Sequence, residues 1–324
     1  MLIKELKIEG FRGIKKMGEP LKLKKFNLIL GRNNACKSTL LQALCLFPSP
    51  YETTVDGNTP RIFQLVSQTS QNDLTPFLYR YAGKADIEYD SRIGKIKFGI
   101  DKSIHLYIER QLSWVEYGSN IVYSDEIQKM LAKKSSEELN SISIMLTDFS
   151  DQYIEKLWNI IEKEDAHISV PVDFINRCID EKFTEITLRH HDLYMRKELD
   201  GKPFYVKFSD LGEGVKKFAR ILLVLSSIKP ELVLWDDFDS HMHPSMMKIA
   251  MEYLSRSTWQ TVIATHSIDA LSQIPDLDTK DSQIILVKKG SQDELIHKIF
   301  TVDEIDTLIE GGQDPRKLVD ELGL

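Results

Sequence analysis

Apolar and polar residues change their period several times along the 324-residue chain, and each change predicts a change of element. Residues 2–9 and 26–30 read as two strands, with turn residues between them at Gly10, Gly13 and 18–20. A helix follows at once over 37–47, where Leu40, Leu41 and Leu44 share one face until Pro48 and Pro50 stop it. From 85 to 115, β-prone stretches at 85–89, 95–100 and 104–108 are spaced like an antiparallel meander. The period then becomes helical over 124–134, 151–163 and 173–189, with Tyr153, Leu157, Ile160 and Ile161 three or four apart. A hairpin is expected over 193–208, turning at Asp200-Gly201-Lys202-Pro203. Strand and helix then alternate: helix 215–226, buried strand 231–235, helix 244–254, strand 260–264, helix 268–274 and strand 283–288. Such alternation predicts a mainly parallel sheet covered by helices.

Composition narrows the class. With 42% hydrophobic and 28% charged residues, the chain reads as globular rather than fibrous or low-complexity. The densest apolar run, 221–225, is far short of the roughly 18 residues a spanning helix needs, and residues 1–10 mix charge with Leu and Ile, so neither a membrane span nor an export signal is expected. Cys36, Cys45 and Cys178 include no C-x-x-C pair, which predicts neither a disulfide framework nor a zinc ribbon and fits a reducing cytoplasm. The net charge of −7 argues against nonspecific coating of nucleic acid. Lys15, Lys16, Lys22, Lys24 and Lys25 form a local basic cluster, readable as a solvated strand face or as a contact for DNA or RNA.

The sharpest local pattern is Gly31-Arg-Asn-Asn-Ala-Cys-Lys-Ser38, placed between an apolar strand and a helix as a phosphate-binding P-loop requires. Backbone N–H groups at the helix start face an anion, Lys37 supplies a point charge at the β- and γ-phosphates, and the Ser38 hydroxyl is placed to ligate Mg²⁺. Cys36 stands where the pattern has its second glycine. Its thiol, beside Lys37 at a helix start, has two readings: a reactive thiolate of lowered pKa, or an inert packed side chain. Further on, Leu232-Val-Leu-Trp-Asp236-Asp237 has the form of a Walker B strand, in which Asp236 holds Mg²⁺ through water and Asp237 orients the attacking water.

Other segments extend the pattern. Ser209-Asp-Leu-Gly-Glu-Gly214 resembles an ABC-type signature, Thr261-Val-Ile-Ala-Thr-His266-Ser267 is a strand ending in histidine, and Gly10-Phe-Arg12-Gly resembles the turn of RecF-like and SMC-like heads. With Asp239-Ser-His-Met-His-Pro-Ser245 following the Walker B segment, the chain resembles, over most of its length, a soluble ABC-type ATPase head of the RecF, SMC and OLD group, in the short form without a Toprim domain. The resemblance implies an α/β fold: a P-loop NTPase of ABC type, with a mixed sheet, an antiparallel meander and a helical insert. It divides the chain into 1–119 (N-terminal part of the head), 120–190 (insert) and 191–324 (C-terminal part of the head).

It also implies ATP and Mg²⁺ as ligands. Gly31, Asn33, Asn34, Ala35, Cys36, Lys37, Ser38 and Thr39 would cradle the nucleotide, with Arg12 beside it. Ser38 and Asp236 would hold the metal, Lys37, Asp237 and His266 would serve hydrolysis, and Leu211, Gly212, Glu213 and Gly214 would complete the site of a second protomer. The expected assembly is an ATP-dependent homodimer in the cytoplasm, without a membrane partner. DNA repair or defence against mobile elements is the implied setting, with a nuclease, another effector protein or DNA as partner. Cys36 for glycine, Asp237 for the usual glutamate and Glu213 for a small residue depart from the pattern and predict slow hydrolysis. Two alternatives stand beside this reading. A nonenzymatic ATP-dependent scaffold could recruit a separate effector, and the energising subunit of a transporter is the less favoured third. His241 and His243 belong to the family pattern, while His190 and His191, expected on opposite faces of a strand, make poor co-ligands, so no zinc site is expected.

Overall fold

The strand β4 (Phe26–Leu30) is buried at every position, as a strand covered on both faces must be. In the computed structural model, which describes residues 1–48, 74–92, 94–101, 104–108, 111–117, 120–123, 143–146, 149–240, 242–274, 281–315 and 317–318, β4 pairs in parallel with β15 (Gln260–Thr265) on one side and β16 (Ser282–Lys289) on the other. Beyond β15 lie β14 (Leu232–Trp235) and, at the edge, β10 (Ser143–Leu146), both parallel. On the other side the sheet turns antiparallel at β17 (Glu294–Phe300) and reaches β2 (Ile14–Met17) and β1 (Ile3–Phe11). It continues as the meander β5 (Ala85–Ser91), β6 (Gly94–Ile100), β7 (Ile104–Ile108), β8 (Gln111–Tyr117) and β9 (Asn120–Tyr123), while β3 (Leu21–Lys22) sits on β1. The fold is thus a mixed α/β sheet with an antiparallel meander, of 14 strands among the described residues.

Alternation along the parallel strands divides the interior in two. Leu28, Leu30, Val233 and Trp235 face a core shared with α2 (Asp151–Lys163), α3 (Val170–Ile179), α4 (Glu213–Ile228) and α5 (Pro244–Arg256). Ile29, Leu232 and Leu234 face the opposite core, with α1 (Lys37–Cys45) and the meander. Two further helices, α6 (Ile268–Ser272) and α7 (Val302–Glu310), follow β15 and β17. A separate sheet of β11 (Phe183–Arg189), β12 (Asp192–Leu199) and β13 (Lys202–Lys207) places Phe183, Ile186, Leu193 and Met195 in the first core. Its β12–β13 hairpin turns on Asp200 and Gly201, with φ of 50° and 74°, the left-handed pair that a two-residue turn demands.

Buried amides fix the lower edge of the parallel strands. Gln260 accepts from the N–H groups of Leu2 and Ile3 and donates to the carbonyls of Ile3 and Lys24, all within 3.1 Å. Asn27 donates to the carbonyls of Lys24 and Thr261 and accepts from Gln283, which also donates to the Lys22 carbonyl.

Several expectations need correction. The 173–189 segment is not one helix: α3 ends at Ile179, Asp180 turns left-handed at φ 50°, and Asn176 clamps the reversal through both backbone groups of Phe183. Residues 183–189 then join β12 as a strand. The 120–190 segment is therefore not wholly helical, since it also contributes β10 to the main sheet. His190 and His191 do not lie along a strand but make the left-handed turn between β11 and β12. The strands β2, β3 and β17 and the helix α7 lie where no element was expected. The helix expected over 124–134 lies outside the described residues.

Candidate functional site

Neighbouring parallel strands of matched register deliver their next residues to one sheet edge. Leu30 pairs with Thr265, and Trp235 with Ile263, so the segments starting at Gly31, Asp236 and His266 emerge together. Gly31 has no room for a side chain, because a Cβ there would lie 2.7 Å from the Val287 carbonyl oxygen. The loop curls back over Lys37, whose buried ammonium donates to the carbonyls of Gly31 (2.9 Å) and Arg32 (3.1 Å). Burial pushes the Lys37 pKa down, while the charges of Asp236, Asp237 and Asp239 oppose that shift.

The Ser38 hydroxyl donates to Asp236, joining the loop to the strand end. Burial raises the Asp236 pKa against that hydrogen bond, and the neighbouring Asp237 carboxylate raises it further. Asp237 is left-handed at φ 46° and its N–H donates to Asp236 Oδ1 at 3.1 Å. A hydroxyl and a half-buried carboxylate in contact, beside a buried lysine, match the donor set that a hydrated divalent cation and a polyphosphate require.

Asp239, which sequence reasoning passed over, sits between the Walker B segment and the end of β15. It accepts from the Thr265 hydroxyl and lies 3.7 Å from Nε2 of His266, which is 58% exposed. The Ser267 N–H donates to Thr265 Oγ1 at 3.0 Å, and the Ser267 hydroxyl caps α6. The signal in the sequence was a third carboxylate within four residues of the strand end.

Of the two readings of Cys36, the geometry supports the packed side chain. Its backbone is left-handed (φ 67°, ψ 20°), which is why glycine suits the position and why a side chain there costs roughly 1–2 kcal/mol. The sulfur is buried and donates to the Gly13 carbonyl at 3.7 Å. Burial raises the thiol pKa, and this outweighs the opposing charge of Lys289. Desolvation thus defeats the helix-start effect.

Arg12, at φ 48°, lays its guanidinium 5.1 Å over the Phe77 ring, and burial lowers its pKa. It shares with Asn34, Ala35, Cys36, Lys37, Ser38 and Thr39 a cavity of about 410 Å³. A larger concavity of about 840 Å³ lies on the β1, β5 and β6 face among Glu5, Lys7, Glu88 and Lys97, without any P-loop residue. Leu211, Gly212, Glu213 and Gly214 are not in the P-loop cavity; Glu213 and Gly214 open α4, Gly212 is its N-cap and Leu211 precedes it. The Glu213 side chain is 81% exposed, and its charge is paired with Lys216 at 2.6 Å rather than left open.

Other polar residues fall into structural places. His243 is the N-cap of α5, accepting from the Ser245 N–H, ahead of Pro244. His241 lies outside the described residues, and among the described residues no group of three or more His, Cys, Asp or Glu side chains forms a metal cluster. Within the basic cluster Lys16 pairs with Glu294 at 2.9 Å and Lys24 donates to the Ser282 carbonyl. No helix among the described residues is long and apolar enough to cross a membrane.

No curated protein sequence matches the chain. Among solved structures, an Smc head bound to the C-terminal winged-helix domain of ScpA is similar at a TM-score of 0.64 and 12% identity, with 95% of this chain and 100% of that one covered. The Pyrococcus furiosus Smc head with an extended coiled coil, bound to the C-terminal domain of ScpA, gives 0.61 and 11%, with 96% and 99% covered. These likenesses concern the fold. In the sequence, the family model described as "AAA domain, putative AbiEii toxin, Type IV TA system" matches residues 26–272, from the first residue of β4 to the last of α6, and the chain belongs to this family of AAA domains.

Proposed function

We propose that the chain is a slow ATPase gated by nucleotide-dependent dimerisation, serving in DNA repair or in defence against mobile elements. The observation that carries the reading is the Ser38–Asp236 hydrogen bond beside buried Lys37, which joins the loop to the strand end and supports a single polyphosphate and metal site there. Lys37 would release the Gly31 and Arg32 carbonyls and turn to the β- and γ-phosphates. Ser38 and Asp236 would hold Mg²⁺, which when bound neutralises phosphate charge. Asp237 would orient water, and His266, steadied by Asp239, would contact the γ-phosphate. The exposed start of α4, at Gly212 to Gly214, would close on the nucleotide of a second protomer. The family description favours the defence setting, and an effector such as a nuclease is the proposed recipient of the closed state.

Sedimentation velocity with and without Mg-ATP tests this reading. Wild type and Asp237→Asn are expected to dimerise only with ATP, the variant more persistently, while Lys37→Ala stays monomeric. One unchanged mass for all three would overturn the gated dimer, and phosphate release equal in wild type and Lys37→Ala would overturn the ATPase.

A further inference from the structure

The P-loop cavity has lining residues that none of the sequence motifs accounts for: Pro76, Leu78, Arg80 and Tyr81. They belong to a short segment of two 3-10 turns, Thr75–Phe77 and Tyr79–Tyr81, which is fastened at three places. Phe77 stacks on Phe11 at 5.9 Å and its carbonyl accepts from the Arg12 N–H at 2.8 Å. Leu78 bridges to Phe11. Asp293, in the turn between β16 and β17, accepts from the Tyr79 hydroxyl and from Arg80 at 3.1 Å, and is itself held by Lys289 at 2.9 Å.

At the end of this fastened segment Arg80 and Tyr81 are both left-handed, with φ of 52° and 60°. Two successive non-glycine residues in that region are costly, and such a conformation persists only where its surroundings impose it. The result is that Tyr81 is pushed outward, 74% exposed, at the cavity that contains Lys37 and Ser38. A tyrosine ring offers a flat apolar face of the kind on which nucleobases stack.

We propose that Tyr81 is the platform for the base of the bound nucleotide. The inference rests on the P-loop reading above, which places the phosphates at Lys37 and Ser38. Arg80, with its guanidinium 5.1 Å over the Tyr79 ring and tied to Asp293, keeps the platform in position. Stacking reads the area of a ring rather than its edge, so the site selects purine over pyrimidine nucleotides and separates adenine from guanine weakly.

Competition against a fluorescent ATP analogue, in the presence of Mg²⁺, tests the platform with ATP, GTP, CTP and inorganic tripolyphosphate. In the wild type ATP and GTP are expected to bind within about twofold of each other and about threefold more tightly than CTP, whose smaller ring still stacks. Tyr81→Ala is expected to lose about tenfold in ATP affinity with tripolyphosphate unchanged, and Tyr81→Phe to keep wild-type affinity. Because the ring is exposed, truncating it leaves the core intact. Equal loss for ATP and tripolyphosphate, or no loss for ATP, would overturn the platform while leaving the P-loop site standing. If neither ATP nor tripolyphosphate binds the wild type, the nucleotide site itself fails and the platform with it.

Discussion

Gly13 and Cys36 occupy one space: the Cys36 sulfur lies 3.7 Å from the Gly13 carbonyl, and a Cβ placed on Gly13 would come within 3.3 Å of the same sulfur. The missing side chain at one position accommodates the extra side chain at the other. Gly13→Ala is therefore expected to destabilise the protein by about 1–3 kcal/mol through overpacking, and Cys36→Gly to restore most of that loss in the double variant. Urea denaturation of the four proteins in the cycle measures it; additive effects would refute the shared space. Phosphate release should also rise in Cys36→Gly, because the loop then approaches the phosphates without a side chain.

Thiol labelling gives a second check. Cys36 and Cys45 are buried, and burial holds the Cys178 pKa at about 11. At neutral pH the native protein is expected to label slowly at all three cysteines, and Cys178 to speed up as pH rises. Intact-mass kinetics that found Cys36 fast and protected by ATP would reverse the assignment of an inert thiol.

The raised pKa of Asp236 would make the proposed metal site sensitive to acid. A carboxylate that holds its proton more tightly when folded loses its charge at a higher pH than an ordinary aspartate. Mg²⁺-dependent nucleotide affinity should therefore fall on acidification while exposed carboxylates are still ionised. The same sign applies to stability: the charged form is the penalised one, its cost is fully present above the raised pKa, and stability is gained as pH falls through it. Asp236→Asn is thus expected to raise the melting temperature of the nucleotide-free protein at neutral pH and to abolish the acid limb of binding. A lowered melting temperature would show that the Ser38 hydrogen bond outweighs burial.

Gln260 offers a purely structural test. Truncation to alanine leaves the N–H groups of Leu2 and Ile3 and the carbonyls of Ile3 and Lys24 without this partner. A loss of about 3 kcal/mol or more is expected in denaturant unfolding, and Gln260→Glu should not restore it, since a carboxylate cannot donate to the two carbonyls. A loss below about 1 kcal/mol would mean that other groups replace the clamp.

The legible parts of the fold are those whose signal is local. Leu232 to Trp235 is an apolar run long enough to be a buried strand, and the P-loop is bounded by a strand and a helix that carry their own patterns. Ser143 to Leu146 has a shorter apolar run, Ile144 to Leu146, and is a strand through its pairing with β14. The apolar spacing of 173–189 suits a helix up to Asp180, where a left-handed residue ends it and pairing with β12 takes over. Asn27 and Gln260 find partners more than 230 positions away, so no window of sequence shows them as anything but polar strand residues. In the candidate site, motifs pointed to Lys37, Ser38 and Asp236, whereas the bond from Thr265 to Asp239 and the fastening of the 75–81 segment through Tyr79 depend on loops that meet only in the fold.

The stretch from β10 to α3 holds the rest of the protein at both ends. Leu146 pairs with Trp235, one residue before Asp236. Asp151 binds Arg220 at 2.7 Å, and Phe174 meets Phe218 edge-on at 4.5 Å, both on α4. A displacement of this stretch therefore reaches both the strand that precedes Asp236 and the helix that starts at Glu213. This stretch thus ties the strand end that bears Asp236 to the helix that starts at Glu213, without lining the cavity that contains Lys37.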